Sequence, residues 1–172
     1  MKRLHLPLTI EDRQTLEVGE EVLLSGIIYT ARDAAHKKMR EEGYPFDIQD
    51  QTIYYVGASP AKPDEVIGSA GPTTSGRMDV YTPQLLDDGL ACMIGKGYRN
   101  QLVKEAIIRN QAIYFIAVGG VGALLSNRIK EAKCLAYPEL ESEAIYQLKV
   151  EEFPVFVGID INGNDIYEEE KL

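Results

Sequence analysis

Cysteine is scarce in this chain. Two occur in 172 residues, Cys92 and Cys134, far apart and with no C-x-x-C spacing anywhere. Each lies within an apolar segment, so the expectation is two small buried thiols in a reducing compartment rather than a disulfide framework. Histidine is equally rare, at two residues, and no ligand set for a metal ion can be assembled from so few, widely spaced donors. Two thiolates also fall short of the usual set for an iron–sulfur cluster, so any such cluster would have to come from another chain.

Basic residues are the minority charge: 18 lysines and arginines stand against 27 acidic residues, for a net charge of -9. That balance argues against nucleic acid or an anionic membrane as the main partner, while leaving room for a local basic pocket. Long apolar runs are missing too. The longest, residues 112–125, is broken by three glycines and is shorter than the roughly 20 residues a membrane helix needs. Lys2 and Arg3 are followed by Glu11 and Asp12 with no apolar segment between, so no secretory signal is read and the expected compartment is the cytoplasm.

What is present, 45% hydrophobic and 26% charged residues over this length, supports one domain spanning residues 1–172. Strand patterns are read at residues 2–9, 21–29, 52–57, 66–69, 90–94, 112–118, 133–137, 144–150 and 155–160. Helices are expected over 30–42, with Thr30 as N-cap and Gly43 as stop, over 82–89 behind a Thr82 N-cap and Pro83, and over 100–109. Gly119-Gly120-Val121-Gly122 reads as a turn opening a further helix, and Asn162-Gly163 as a hairpin returning through residues 165–167. The acidic end, residues 168–170, reads as solvated. Alternating strands and helices with one C-terminal hairpin give an α/β domain with a mixed sheet.

Gly71-Pro72-Thr73-Thr74-Ser75-Gly76-Arg77 gathers three hydroxyls, several amides and an arginine fork between glycines that let a backbone approach a ligand. The plain alternative is a polar surface turn. Arg32 falls in the first turn of its expected helix, where a cation opposes the helix dipole and an anion is welcome. His36 lies on the same face, either lining that cleft or simply as a helix-surface or half-buried imidazole. Lys96 stands between Gly95 and Gly97 at a strand end. Two nucleotide motifs fail: the glycines at 120 and 122 put Leu125 where a dinucleotide fingerprint needs Gly or Ala, and Gly97 stands where a phosphate loop needs Ser or Thr. If Arg32, Arg77 and Lys96, each after an expected strand, converge on the hydroxyls of Thr73 and Thr74, the pocket suits a small dianion such as a dicarboxylate.

Five stretches carry a resemblance: Thr30-Ala31-Arg32-Asp33-Ala34-Ala35-His36, Gly71-Pro72-Thr73-Thr74 through Arg77-Met78-Asp79, Gly95-Lys96-Gly97, Gly119-Gly120-Val121-Gly122-Ala123-Leu124 and Gly158-Ile159-Asp160. In this order, and over nearly the whole chain, they resemble the β subunit, or C-terminal domain, of class I iron–sulfur fumarate hydratases and L-tartrate dehydratases. The resemblance implies a single swivelling β/β/α domain and reversible hydration of fumarate to (S)-malate, with an L-tartrate dehydratase β subunit or a non-catalytic small-anion-binding module as the alternatives. It implies an α subunit whose cysteines hold a 4Fe-4S cluster, no metal ligands in this chain, an active site between the two chains, and a hetero-oligomer such as a dimer of αβ units. It implies that Arg32, Arg77 and Lys96 bind the substrate carboxylates beside Thr74. Thr73 becomes the candidate base, with a role as a mere positioning group equally open, while the cluster iron acts as a Lewis acid on the hydroxyl.

Overall fold

The computed structural model describes residues 1–57, 59–117 and 125–169. Its architecture follows from strands that are apolar on both faces. In strand Ile113–Ala117, the side chains of Ile113, Phe115 and Ala117 enter one buried cluster, while Tyr114 and Ile116 enter another. Strand Cys92–Gly95 divides the same way, with Cys92 and Ile94 on one side and Met93 on the other. A sheet buried on both faces needs cover on each, which is the α/β solution.

The strands are β1 (Lys2–His5), β2 (Glu21–Thr30), β3 (Thr52–Tyr54), β4 (Cys92–Gly95), β5 (Ile113–Ala117), β6 (Ile129–Ala136) and β7 (Ile145–Ile159). They form a seven-stranded sheet in the order β1-β2-β3-β4-β5-β7-β6. Neighbours from β1 to β5 are parallel, and β7 runs antiparallel to β2, β5 and β6. Because β7 also pairs with β2, from Gln147 opposite Tyr29 to Phe156 opposite Glu21, the ring β2-β3-β4-β5-β7 closes on itself. Leu24, Ile28, Phe115, Leu148 and Phe153 pack in one core. Met39 of α2 (Asp33–Glu42), Leu86 of α3 (Thr82–Asp87) and Val103 and Ile107 of α4 (Gln101–Asn110) pack with Met93 and Tyr114 in the other. Three parallel strands, β2, β3 and β4, therefore release their loops at one end of the sheet, where ligand sites of such sheets arise.

Several sequence expectations need correction. Thr30 is the last residue of β2, not an N-cap: its hydroxyl donates to the Ala144 carbonyl at 3.3 Å and accepts the Tyr146 amide at 3.0 Å, so the ladder with β7 claims it. Helix α2 starts later and stops at Gly43 as expected, with φ 88°. Thr82 likewise lies inside α3, its hydroxyl donating back to Met78 O at 2.8 Å. Residues 66–69 form no strand. The two strands expected at 144–150 and 155–160 are one, β7, which runs through Pro154. The turn at Gly163 returns for a single bridge between Ile159 and Asp165, then enters a short helix, Ile166–Glu169, rather than a second strand. A short helix α1 (Ile10–Gln14) was not foreseen; Thr9 caps it, its hydroxyl accepting the Asp12 amide at 3.0 Å while the Asp12 carboxylate accepts the Thr9 amide at 3.1 Å. Cys92 is buried, which pushes its thiol up to about 12, but Cys134 is exposed on β6. The glycine turn at 119–122 and the end of the acidic tail lie outside the described residues. Among the described residues no helix is long and apolar enough to cross a membrane.

Candidate functional site

Arg32 follows β2 by two residues and is the N-cap of α2, two positions earlier in the helix than expected, in extended backbone and with no side-chain capping bond. Its guanidinium lies over Gly57, just beyond β3, where a methyl group would overlap Nη1. Glycine there opens the groove that the arginine occupies. The Nε of Arg32 is buried and has no hydrogen-bond partner.

The Thr73-Thr74-Ser75 segment slots between the ends of β3 and β4. Thr73 N donates to Tyr55 O at 2.8 Å, Thr74 forms a parallel bridge with Lys96, and Ser75 N donates to Lys96 O at 2.8 Å. This close approach requires Gly95, since a methyl group there would collide with Ser75 Oγ and lie 2.8 Å from the Tyr55 ring. Thr73 is half-buried and Thr74 exposed. Ser75 then begins a 3₁₀ turn, Ser75–Met78, which carries Arg77. Arg77 Nε donates to both oxygens of Asp33 at 3.2 Å, and among the described residues its terminal amino groups have no partner. Asp33 is the first residue of α2, so Arg32 and Arg77 flank one helix start. Lys96 is exposed and its ammonium has no partner among the described residues. The five expected residues, Arg32, Thr73, Thr74, Arg77 and Lys96, thus come together beyond the ends of β2, β3 and β4.

His36 does not join them. Its Nδ1 lies 2.8 Å from the Arg32 carbonyl, which can only accept, so Nδ1 carries the proton. The ring is buried between Tyr55 and Tyr81, at centroid distances of 5.7 and 5.6 Å. Burial pushes its pKa down to about 4, with the backbone hydrogen bond opposing. A depressed folded pKa means that the stability is complete above about 6.5 and declines as pH falls towards 4. About 2 kcal/mol should be lost by pH 5. The other histidine, His5, is exposed, so urea titrations between pH 6.5 and 5 should show this decline in the parent chain and a flat profile in His36→Asn.

Beneath the loop lies a network that sequence reading did not find. Arg99, its side chain fully buried, pairs through Nε with Asp79 Oδ1 at 2.6 Å and donates through Nη2 to Thr82 Oγ1 at 2.9 Å and Tyr55 Oη at 3.2 Å. Asp79 Oδ2 also accepts the Asn100 amide at 2.8 Å. Asn100 in turn caps α4, its side chain accepting the Val103 amide at 2.9 Å. The network ties the loop to the start of α4. The only signal in the sequence was an arginine and an aspartate close to the two motifs, with nothing to pair them.

Among the described residues, no group of three or more His, Cys, Asp and Glu side chains is placed to hold a metal ion. Residues 2–170 match the family described as the fumarase C-terminus. The chain is 40% identical over 162 residues to the aerobic class I fumarate hydratase of Escherichia coli, covering 90% of this chain and 30% of that protein. It is 38% identical over 157 residues to fumarate hydratase 2 of Leishmania major, covering 87% of this chain and 28% of that protein. The chain therefore spans about 30% of the length of the fumarate hydratases it matches. Over 173 residues it is 38% identical to a Methanocaldococcus jannaschii protein named "Putative L(+)-tartrate dehydratase subunit beta", covering 94% of this chain and 89% of that one. A family match over almost the whole length, joined to a relative of nearly the same extent, means that this chain belongs to the fumarase C-terminus family.

Proposed function

We propose that the chain is the β subunit of an iron–sulfur hydro-lyase that reversibly hydrates fumarate to (S)-malate, and that it supplies dicarboxylate-binding residues to a site completed by an α subunit. The observation that carries this reading is Arg32, whose buried Nε has no acceptor among the described residues, at the same end of the sheet as the bridge between Thr74 and Lys96. A buried donor without an acceptor is costly unless a ligand supplies one. The names of the relatives support hydro-lyase chemistry, and the remaining length of the fumarate hydratases is what an α subunit would supply.

The donors of this chain do not fit a 4Fe-4S cluster: Cys92 is buried in the core, and no ligand group forms among the described residues. In this proposal the cluster belongs to the α subunit. The residues here bind and orient. Arg32, Arg77 and Lys96 take the substrate carboxylates, and Thr74 adds a hydrogen bond. Thr73 removes a proton from the carbon next to a carboxylate during dehydration and returns it during hydration. A threonine hydroxyl does this only if nearby cations favour its alkoxide, the role this proposal gives to Arg32 and Lys96. L-tartrate dehydration is the second reading, favoured by the relative that shares nearly the whole length.

The test is to assay the chain with its α partner, anaerobically, against fumarate and L-tartrate side by side. A brown, oxygen-sensitive complex active on one of them supports the proposal, and a colourless complex inactive on both leaves only an anion-binding module. In the active complex, Arg77→Lys and Lys96→Met should each cut kcat/KM at least tenfold, about 1.4 kcal/mol. Parent rates in both variants would remove these residues from the site.

A further inference from the structure

The Lys96–Gly97 peptide is gripped from both sides. Its carbonyl accepts the Ser75 amide at 2.8 Å, and its N–H donates to Tyr167 Oη at 3.0 Å. The following carbonyl, of Gly97, accepts the Tyr114 hydroxyl at 2.9 Å, and that hydroxyl accepts Ser75 Oγ–H at 2.8 Å. Gly97 has φ 90°, so the chain has left the regular strand by this point. Side chains replace the lost ladder.

Ser75 and Tyr114 are buried in the body of the domain, but Tyr167 reaches this turn from 70 residues further along. It sits on the short helix Ile166–Glu169, whose approach is fixed at several points. Lys104 of α4 pairs with the buried Asp165 at 2.9 Å and with Glu168. Asp165 Oδ1 accepts the Tyr167 amide at 3.0 Å, and the Tyr167 ring lies against Tyr98, with centroids 4.3 Å apart. Lys96 has a flexible four-carbon stem and no side-chain partner among the described residues, so the backbone beneath it fixes where that stem starts and hence the region its ammonium can reach.

We propose that Tyr167 is a positioning residue for Lys96, and that the helix Ile166–Glu169 acts as a latch on the substrate-binding face. The proposal rests on the reading of Lys96 as a carboxylate ligand. Removing the Tyr167 hydroxyl leaves the Gly97 N–H unpaired and frees the turn, while the ring against Tyr98 is kept. A carboxylate contact made equally in the ground state and transition state appears in KM and not in kcat.

In the assembled enzyme, Tyr167→Phe should therefore raise KM for the dicarboxylate about tenfold with kcat within about twofold. In a Lys96→Met background the same change should alter KM by less than about twofold, because the group being positioned is gone. Equal effects in both backgrounds, or no effect on KM, would overturn the proposal. A second measurement does not depend on the hydratase reading: hydrogen exchange at the Gly97 amide in the full chain should accelerate at least about tenfold in Tyr167→Phe. Unchanged exchange overturns the latch whatever the enzyme does. Absence of activity in the parent complex on both substrates overturns the hydro-lyase reading instead, and the exchange result still decides the latch.

Discussion

Arg99→Met should lower the unfolding free energy by about 3–5 kcal/mol, a drop on the order of 10 °C in Tm, making it the most damaging single change considered for this fold. The side chain is fully buried, and its carboxylate partner Asp79 is 8% exposed. Methionine fills a similar volume but leaves Asp79 with the Asn100 amide as its main remaining support. The lost charge cannot be replaced by water at such depth, so the deficit is dominated by the stranded anion rather than by the lost bond. One further result identifies that cause. Asp79→Asn added to Arg99→Met should recover part of the loss. A deficit that is additive in the double variant would instead point to the lost stacking of Arg99 on Tyr114 and Tyr55, at 4.8 and 5.2 Å from their ring centroids.

The order of the elements was largely legible because the pattern is local. The runs at β2 and β5 are long and apolar, and the stops at Gly43 and the Asn100 cap of α4 are read from single residues with one dominant use. The misreadings came where long-range pairing overrode local preference. Thr30 is a fair N-cap, but the β7 backbone offers its hydroxyl a donor and an acceptor at once. The strands expected at 144–150 and 155–160 are continuous, and Pro154 falls where β7 passes from its β6-paired to its β5-paired stretch, a place in a sheet where a residue without an N–H is tolerated. Cys134 sits in an apolar segment, but β6 lies at the end of the strand order and the thiol is exposed there.

The candidate site divides the same way. Its candidate residues stood out in the sequence because hydroxyls and cations beside glycines are unusual at strand ends. The residues that hold them did not: Asp33, Arg99, Tyr114 and Tyr167 are unremarked until the fold places them against Arg77, Asp79, Ser75 and Gly97. Arg77 is correspondingly less free than its sequence suggested, since Asp33 already holds its Nε.

Arg32→Met should have the opposite signature to Arg99→Met. Turnover in the assembled enzyme should fall at least about a hundredfold, roughly 2.7 kcal/mol, because a substrate carboxylate held in a closed site would lose a guanidinium fork that nothing else replaces. Stability should hold or rise by up to about 1 kcal/mol. The Nε of Arg32 is a buried donor without an acceptor, the residue makes no capping bond, and its charge sits at the positive end of α2. Activity lost with stability kept is the signature expected of a group held for a ligand rather than for the fold. Gly57→Ala offers the companion result: its methyl group displaces the Arg32 guanidinium without removing the charge, so KM should rise while the urea midpoint stays near the parent value. If Arg32→Met instead unfolds more than about 1 kcal/mol earlier than the parent chain, the guanidinium is a structural group, and the argument from its unpaired nitrogen fails.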